Sequence, residues 1–99
     1  MKIYVIGNLE ITDMDPFMIY SKRVRELVAA CGARFLVRGG DHYPIEGDWQ
    51  THRLIVIEFP SREIYDRFYA SQDYQDIIPI RRAGARGSLV VVEGVPDVA

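Results

Sequence analysis

The sequence is poor in the residues that define several classes of protein. Its 99 residues include one cysteine and two histidines, which leaves no disulfide framework and no spacing for a metal site. The formal net charge of -2 provides no basic field for nucleic acid or an anionic membrane. No stretch approaches the ~20 apolar residues of a transmembrane helix, and Glu10 interrupts the first apolar run too early for a signal peptide. These absences predict a cytoplasmic protein that binds no metal, nucleic acid or membrane.

The residues that are present have the proportions of an ordinary globular domain. Hydrophobic residues make up 48% of the chain and charged residues 26%, and no linker, repeat or low-complexity segment divides it. We therefore predict a single domain over residues 1–99, with a frayed tail at 95–99.

An alternating segment at residues 3–11 predicts the first strand, and a helix follows it. Asp15 is a good N-cap for this helix, and Pro16 suits the first helical position because its missing N–H is not needed there. Apolar residues recur along one side at three- and four-residue spacing. Gly32 can adopt the left-handed conformation that ends the helix.

The middle of the chain is predicted to form two strands. The first covers residues 34–38 and meets Gly39 and Gly40, which fit either a loop or a β-bulge. We favour a bulge from which the strand resumes as far as Ile45, because residues 46–49 make the better hairpin tip. Residues 53–59 are almost entirely β-branched or aliphatic, which predicts a strand buried on both faces at the centre of a sheet.

Two helical segments and a last strand complete the prediction. Ser71 looks like the cap of a second, shorter segment, in which Pro79 would cost ~3 kcal/mol in a regular helix interior. We therefore expect a kink or an early end there. Gly84 and Gly87 are predicted to frame a loop before a strand at 88–93. The resulting β-α-β-β-α-β order is that of a ferredoxin-like plait, an α+β fold with an antiparallel sheet and its helices on one face.

The predicted strands present two faces of different character. One face is almost purely apolar and suits the helices. The other is too apolar to face water across a whole sheet, and such a patch usually meets a partner or ligand. Its members are Tyr4, Ile6, Asn8, Leu36, Arg38, Leu54, Val56, Glu58, Val90 and Val92. We expect a homodimer in which two such sheets stack to form a barrel.

Ordered blocks of this sequence resemble the domain-of-unknown-function family thirteen-thirty. The blocks are residues 34–40, 46–49, 56–61 and 91–94, together with Tyr69, Ser71, Tyr74 and Gln75. The resemblance implies a dimeric α+β barrel, an architecture shared with small cofactor-independent monooxygenases, muconolactone isomerase-like enzymes and stress-responsive barrel proteins. It supplies no reaction and no catalytic residue, and Pro79 departs from the family's usual helix former. We predict no bound cofactor.

Glu58 is the first candidate functional residue, because it interrupts the outer face of the predicted central strand. One interpretation is an acid, base or ligand-orienting carboxylate whose pKa is raised by apolar neighbours. The more common outcome is an ion pair, here with Arg38 or Arg34. Continuing the second strand through the glycine bulge brings Arg38 level with Glu58, with Asn8 on the same face.

Other candidates lie outside this strand. His52 is a second catalytic candidate, although a lone histidine beside a hairpin is more often exposed or bonded to backbone. The helical tyrosines are mainly core, but Tyr69 is predicted to reach a cleft with its hydroxyl. Arg81 and Arg82 either clamp a carboxylate or merely stabilise the end of a helix. The predicted ligand-binding set is therefore Asn8, Arg38, Glu58, Tyr69 and Arg81.

Two classes of function fit these observations. One is a small-molecule-binding or enzyme-like barrel that acts without a cofactor on a small, partly apolar or acidic ligand. The other is a non-catalytic homo-oligomeric module whose polar cluster only fixes the dimer interface. A cavity with convergent polar groups favours the first class, and an interior filled by side chains favours the second.

Overall fold

A computed structural model describes residues 1–96, which form an antiparallel four-stranded sheet covered on one face by helices. Numbered along the chain, the strands lie side by side in the order second, third, first, fourth, so the first and third occupy the centre as predicted. The α+β plait is confirmed. None of the described helices is long and apolar enough to cross a membrane. The elements are β1 (Ile3–Ile11), α1 (Met14–Ala30), β2 (Arg34–Arg38), β3 (Arg53–Phe59), α2 (Arg62–Ala70), α3 (Gln72–Gly84) and β4 (Ala85–Glu93).

The core lies between the sheet and the helices. Alternate residues of β1 and β3 are buried because successive strand side chains point to opposite faces. The helices contribute an aromatic and aliphatic stripe to the same cluster. Its larger buried members are Ile3, Leu9, Phe17, Tyr20, Val24, Val28, Ile55, Ile57, Phe59, Phe68, Tyr74, Ile77 and Ile78. Of the predicted frayed tail, Val95 and Pro96 lie outside regular structure, and residues 97–99 fall outside the described residues.

Helix α1 begins two residues earlier than the sequence predicts. Asp13, not Asp15, is its N-cap, and the Asp13 side chain accepts a hydrogen bond from the backbone N–H of Asp15 at 3.2 Å. The N–H groups of Thr12 and Asp13 both donate to the carbonyl of Gly84, at 2.9 and 3.1 Å. This tertiary contact fixes the backbone in front of the helix. Pro16 is tolerated in the first turn, where N–H groups have no partner within the helix.

Helix α3 begins where the sequence predicts and ends later. The Ser71 hydroxyl caps it by accepting from the N–H of Tyr74 at 3.2 Å. The helix nevertheless continues through Pro79 to Gly84, so of the two expected outcomes the early end is wrong, and the kink stays a prediction. Pro79 and the residue four positions before it, Gln75, are both exposed. The carbonyl that loses its partner therefore lies on the side of the helix that faces water.

A β-bulge lies inside β2 and not at the glycines that follow it. Arg34 pairs with Glu58 and Phe35 with Ile57, but Val37 then pairs with Val56, so one residue is extra at Leu36. The strand ends at Arg38, and residues 39–52 form a long loop that does not resume pairing. The predicted bulge at Gly39 and Gly40 is therefore wrong. The extra residue at Leu36 moves Val37 to the outer face of the sheet and Arg38 to the helix side.

Gly84 allows α3 and α1 to approach each other closely. A Cβ atom at Gly84 would lie 2.6 Å from the backbone N of Phe17 and 2.9 Å from the carbonyl oxygen of Asp13. Strand β4 begins at the next residue, Ala85, so the loop predicted between Gly84 and Gly87 does not exist. The chain passes from helix to strand with no intervening residue because Gly84 is held against the start of α1.

We therefore expect Gly84→Ala to destabilise the fold. The new methyl group meets backbone atoms, which cannot move aside as a side chain can, and overpacking of this kind costs ~1–3 kcal/mol. Thermal unfolding should show a midpoint lowered by ~4–8 °C for each kcal/mol. Gly40→Ala is the control, because nothing lies within 4 Å of a Cβ there and its midpoint should not fall. Equal midpoints for Gly84→Ala and the wild type would contradict the close approach.

Candidate functional site

Glu58 lies on the outer face of the sheet in a small polar cluster. Its Oε2 accepts from the Tyr4 hydroxyl at 3.0 Å, and its Oε1 accepts from Arg34 Nε at 3.0 Å. The carboxylate is shielded, with 13% of the side chain exposed, whereas the Arg34 side chain is 71% exposed. The hydrogen bond from Tyr4, followed by the bond and charge of Arg34, lowers the pKa of Glu58 despite partial burial. The interpretation in which apolar neighbours raise this pKa is therefore wrong, and the ion-pair interpretation agrees with the structure, because both oxygens have donors that stabilise the charged form.

Arg38 is not the partner of Glu58. It pairs with Ile55 in the sheet, and its guanidinium carbon lies 5.6 Å from the centroid of the Phe35 ring. Arg34, the other arginine that the sequence offered as a partner, forms the ion pair with Glu58. The predicted pairing of β2 with β3 places a hairpin tip at residues 46–49. In the structure, the loop at residues 39–52 and the bulge at Leu36 give these two strands a different register. Within residues 1–96, Arg38 and Glu58 therefore do not come together around a ligand pocket.

Asn8 and His52 are linked by the return of the long loop. The Asn8 amide donates to the carbonyl of Gln50 at 2.9 Å, and its oxygen accepts from the backbone N–H of His52 at 2.8 Å. Asn8 thus holds the loop against the centre of the sheet. The His52 residue is exposed and lies outside the cavity described below. The structure does not bring Asn8 and His52 together with Arg38.

A cavity of about 570 Å³ lies on the opposite side of the sheet, beneath the helices. Its walls come from β1, β3, β4 and all three helices. Two residues of the predicted ligand-binding set, Tyr69 and Arg81, line it, whereas Asn8, Arg38 and Glu58 do not. Its exposed lining residues include Arg82 at the end of α3 and Arg86 and Val91 of the edge strand β4, so we place its mouth on that side. The larger side chains of its lining are Tyr20, Phe59, Tyr65, Phe68, Tyr69, Tyr74, Arg81, Arg82, Arg86 and Leu89.

A chain of polar contacts runs through this cavity wall. Arg81 Nη1 donates to the Tyr74 hydroxyl at 2.8 Å, and that hydroxyl lies 3.2 Å from the hydroxyl of Tyr20. Burial raises the pKa of Tyr74 far above its ordinary value, and the neighbouring Tyr20 adds to the effect, so the phenol stays protonated. Burial alone would lower the pKa of Arg81, but the Tyr74 and Tyr20 oxygens outweigh it and raise that pKa. Arg81 therefore stays charged.

Aromatic contacts connect this polar chain to the sheet. The Phe59 ring lies 5.1 Å from that of Phe68, centroid to centroid, and Phe68 lies 4.7 Å from Tyr74. Tyr69 packs 5.4 Å from Tyr74 on the other side. In the sequence, the only indication of this cavity wall is a set of tyrosines at helical spacing. Such a pattern is more typical of core residues than of a binding site. Their pattern did not show that the helices leave a space above β4.

Charged residues of both signs form pairs on the outer face, and one of these pairs includes Arg86, which also belongs to the cavity lining. Arg86 pairs with Glu10 and lowers the pKa of that carboxyl through its hydrogen bond and charge. No aspartate or glutamate lines the cavity itself. Within residues 1–96, no three histidine, cysteine, aspartate or glutamate side chains come together as a group able to hold a metal ion.

Comparison with known protein families gives one match across nearly the whole chain. The family model described as "Domain of unknown function (DUF1330)" matches residues 2–95. This chain belongs to that family. No curated protein matches this DUF1330 domain.

Solved structures share the fold of this DUF1330 domain at low sequence identity. A protein of unknown function from Rhodopseudomonas palustris, RPA0582, superimposes with a TM-score of 0.78 at 12% identity, covering 96% of this chain and 83% of its own. HapK from Hahella chejuensis gives 0.65 at 15% identity, covering 100% and 97%. SnoaB from Streptomyces nogalater, described as a cofactor-independent oxygenase, gives 0.55 at 8% identity, covering 98% and 96%. These similarities establish an α+β fold that enzymes also use.

The cluster around Glu58 yields a prediction about its titration. Tyr4→Phe removes the largest cause of the lowered pKa, so the pKa of Glu58 should rise towards its ordinary value. The shift is measurable from the carboxyl carbon resonance in an NMR titration. In the wild type, the lowered pKa of Glu58 stabilises the fold when the pH is above the pKa that Glu58 has in the unfolded chain. This stabilisation disappears as the pH falls through the pKa that Glu58 has in the folded protein. The stability difference between the two proteins should therefore be largest near neutral pH and shrink in acid.

Tyr43→Phe provides the matched control for this titration. Tyr43 lies in the exposed loop after β2, and the same hydroxyl is removed far from the carboxylate. The pKa of Glu58 should stay where it is in the wild type. An unchanged Glu58 pKa in Tyr4→Phe would show that the Tyr4 hydrogen bond does not hold the carboxylate.

Proposed function

We propose that this protein binds a small, partly aromatic molecule in the cavity between its sheet and helices, as an enzyme-like barrel that needs no cofactor. The observation that carries the proposal is the cavity itself. Its volume of about 570 Å³ lies within the ~300–1,000 Å³ of small-molecule sites. Its lining is mostly apolar and aromatic, with a few polar groups around Arg81 that can orient a ligand.

The similarity to SnoaB supports this proposal at the level of architecture. That protein is described as a cofactor-independent oxygenase, and the two folds align over 98% of this chain. At 8% identity, the similarity assigns no reaction to this protein. We therefore propose ligand binding, with Tyr69 and Arg81 in the site. A catalytic role would follow only from a ligand that the protein converts to a product.

A thermal-shift screen of small metabolites tests the cavity. A ligand present at 100 times its Kd stabilises the native state by about 2.7 kcal/mol. For a domain of this size, that raises the unfolding midpoint by ~10–20 °C. Aromatic and partly apolar compounds should be enriched among the hits.

Filling the mouth of the cavity should remove those hits. Val91 lines the cavity and is exposed, so Val91→Trp places a bulky ring in the space without removing core. Met18→Trp on the exposed side of α1 adds the same ring away from the cavity and should keep the hits. Ligands that bind Val91→Trp as well as the wild type would place their site elsewhere and refute the proposal.

We propose further that two copies pair through the outer faces of their sheets. The strand registers align Val37 with Val56, Val56 with Ile6, and Ile6 with Val90, which makes an apolar row across all four strands. Val90 is 56% exposed, and Ile6 and Val37 are exposed as well. The Glu58 cluster borders this row on one side. Two such rows are self-complementary under a two-fold axis, which suits the isologous contact of a homodimer.

Val90→Lys should separate the two copies. An ammonium group at the β4 end of the row would be buried without a partner in the dimer but solvated in the monomer. Light scattering at micromolar concentration should report twice the 11.3 kDa chain mass for the wild type and mostly the single mass for the variant. Ile19→Lys, at an exposed apolar position on α1, should remain dimeric. A monomeric wild type would exclude this interface.

A further inference from the structure

The charges that line the cavity are all of one sign. Three arginines line it, Arg81, Arg82 and Arg86, and its lining contains no acidic residue, lysine or histidine. The chain as a whole carries a net charge of -2, so this positive surface is a local feature. Arg86 is paired with Glu10, but Arg81 and Arg82 form no ion pair within residues 1–96.

The position of the Arg81 guanidinium separates two explanations for these arginines. An arginine in the last turn of a helix often stabilises the free carbonyls and the negative end of the helix dipole. Arg81 does not do so, because its guanidinium bonds to Tyr74, which lies seven residues and about two turns towards the helix start. The side chain is half-buried and runs back along the cavity wall. Its charge therefore faces the cavity without a counter-ion.

The Tyr74 and Tyr20 hydroxyl groups add further hydrogen-bond donors beside the Arg81 guanidinium. Because the Tyr74 oxygen accepts from Arg81, the Tyr74 proton is available to Tyr20 or to a ligand. If Tyr74 donates to Tyr20, the Tyr20 proton becomes the free end of the chain. The guanidinium polarises this chain, which strengthens each donor along it. The polar end of the cavity thus offers a cation and phenol O–H donors, a combination that suits a negatively charged acceptor.

We infer that the ligand of this cavity is an aromatic or otherwise flat apolar carboxylate, with its carboxylate at Arg81 and its ring among Tyr65, Phe68 and Tyr69. This inference rests on the proposed function, because it names the ligand class of the same cavity. Arg81 is the anchor, since its fork of N–H donors matches a carboxylate. Arg82 at the mouth adds a second, solvent-exposed charge that attracts the anion.

The test compares two probes of the same shape and different charge. Calorimetric titration of the protein with 2-naphthoate and with 2-naphthamide should show at least about tenfold tighter binding of the carboxylate. Arg81→Gln should weaken 2-naphthoate by about tenfold or more and leave 2-naphthamide nearly unchanged. Arg81→Lys keeps the charge and should retain part of the preference. Arg82→Gln, at an exposed position that does not endanger the fold, should weaken 2-naphthoate by a smaller factor.

Arg23→Gln is the matched control, because it removes the same charge from an exposed position on α1 outside the cavity. It should leave both affinities unchanged. Equal affinity for the two probes, or 2-naphthoate binding that is insensitive to both Arg81→Gln and Arg82→Gln, would overturn the carboxylate class. So would a failure of both probes to bind. The metabolite screen and Val91→Trp test the cavity independently, so neutral hits that Val91→Trp abolishes would leave the proposed function standing while this inference fell.

Discussion

The buried ring of Phe59 connects the central strand of the sheet to the aromatic wall of the cavity. It is fully buried at the end of the central strand β3, opposite Ile3, and so belongs to the best-covered part of the sheet. From the helices, Tyr65 meets it edge-on at 5.2 Å and Phe68 packs at 5.1 Å. Phe68 then contacts Tyr74, and Tyr74 holds Arg81. The position of the charged group in the cavity thus depends on a continuous series of packed aromatic rings that starts in the sheet, and rigid packing of this kind is what keeps a binding group in place.

The two faces of the sheet divide the polar chemistry of the chain between them. On the outer face, each acidic residue of the central strands has a cation beside it, as Glu58 has Arg34 and Glu10 has Arg86. Such exposed or partly exposed pairs contribute little to stability, but they fix which side chains surround the apolar row. In the cavity, Arg81 and Arg82 have no acidic partner within residues 1–96. The Tyr74 and Tyr20 oxygens stabilise the Arg81 charge without neutralising it, so the cavity keeps the positive charge on which the proposed carboxylate site depends.

A single extra residue in β2 accounts for much of the difference between the predicted and the observed site. Side chains alternate along a strand, so one bulge reverses every assignment after it. The bulge at Leu36 puts Val37 into the apolar row and sends Arg38 to the helix side, away from Glu58. Gly39 and Gly40 were the natural place to predict it, because glycine favours irregular backbone. No local feature of Leu36 marks a bulge, and the long loop after β2 hides the register that would have revealed it.

The order of elements, the central position of β3, the cap at Ser71 and the apolar character of both sheet faces are all predictable from the sequence. These follow from periodicity and from side chains that bond to backbone a few residues away, which are local effects. The sequence also singled out Tyr69 and Arg81 as candidate binding residues, and their binding role stays a prediction. Tertiary packing places these two residues in one cavity with Tyr20 and Tyr74, and it pairs Arg34 with Glu58. The bond between Tyr20 and Tyr74 spans 54 residues and depends on how α1 and α3 pack, with Gly84 allowing their close approach. The cavity is a space between elements, and a pattern that records which side chains turn inward carries no information on how far apart the packed elements come to rest.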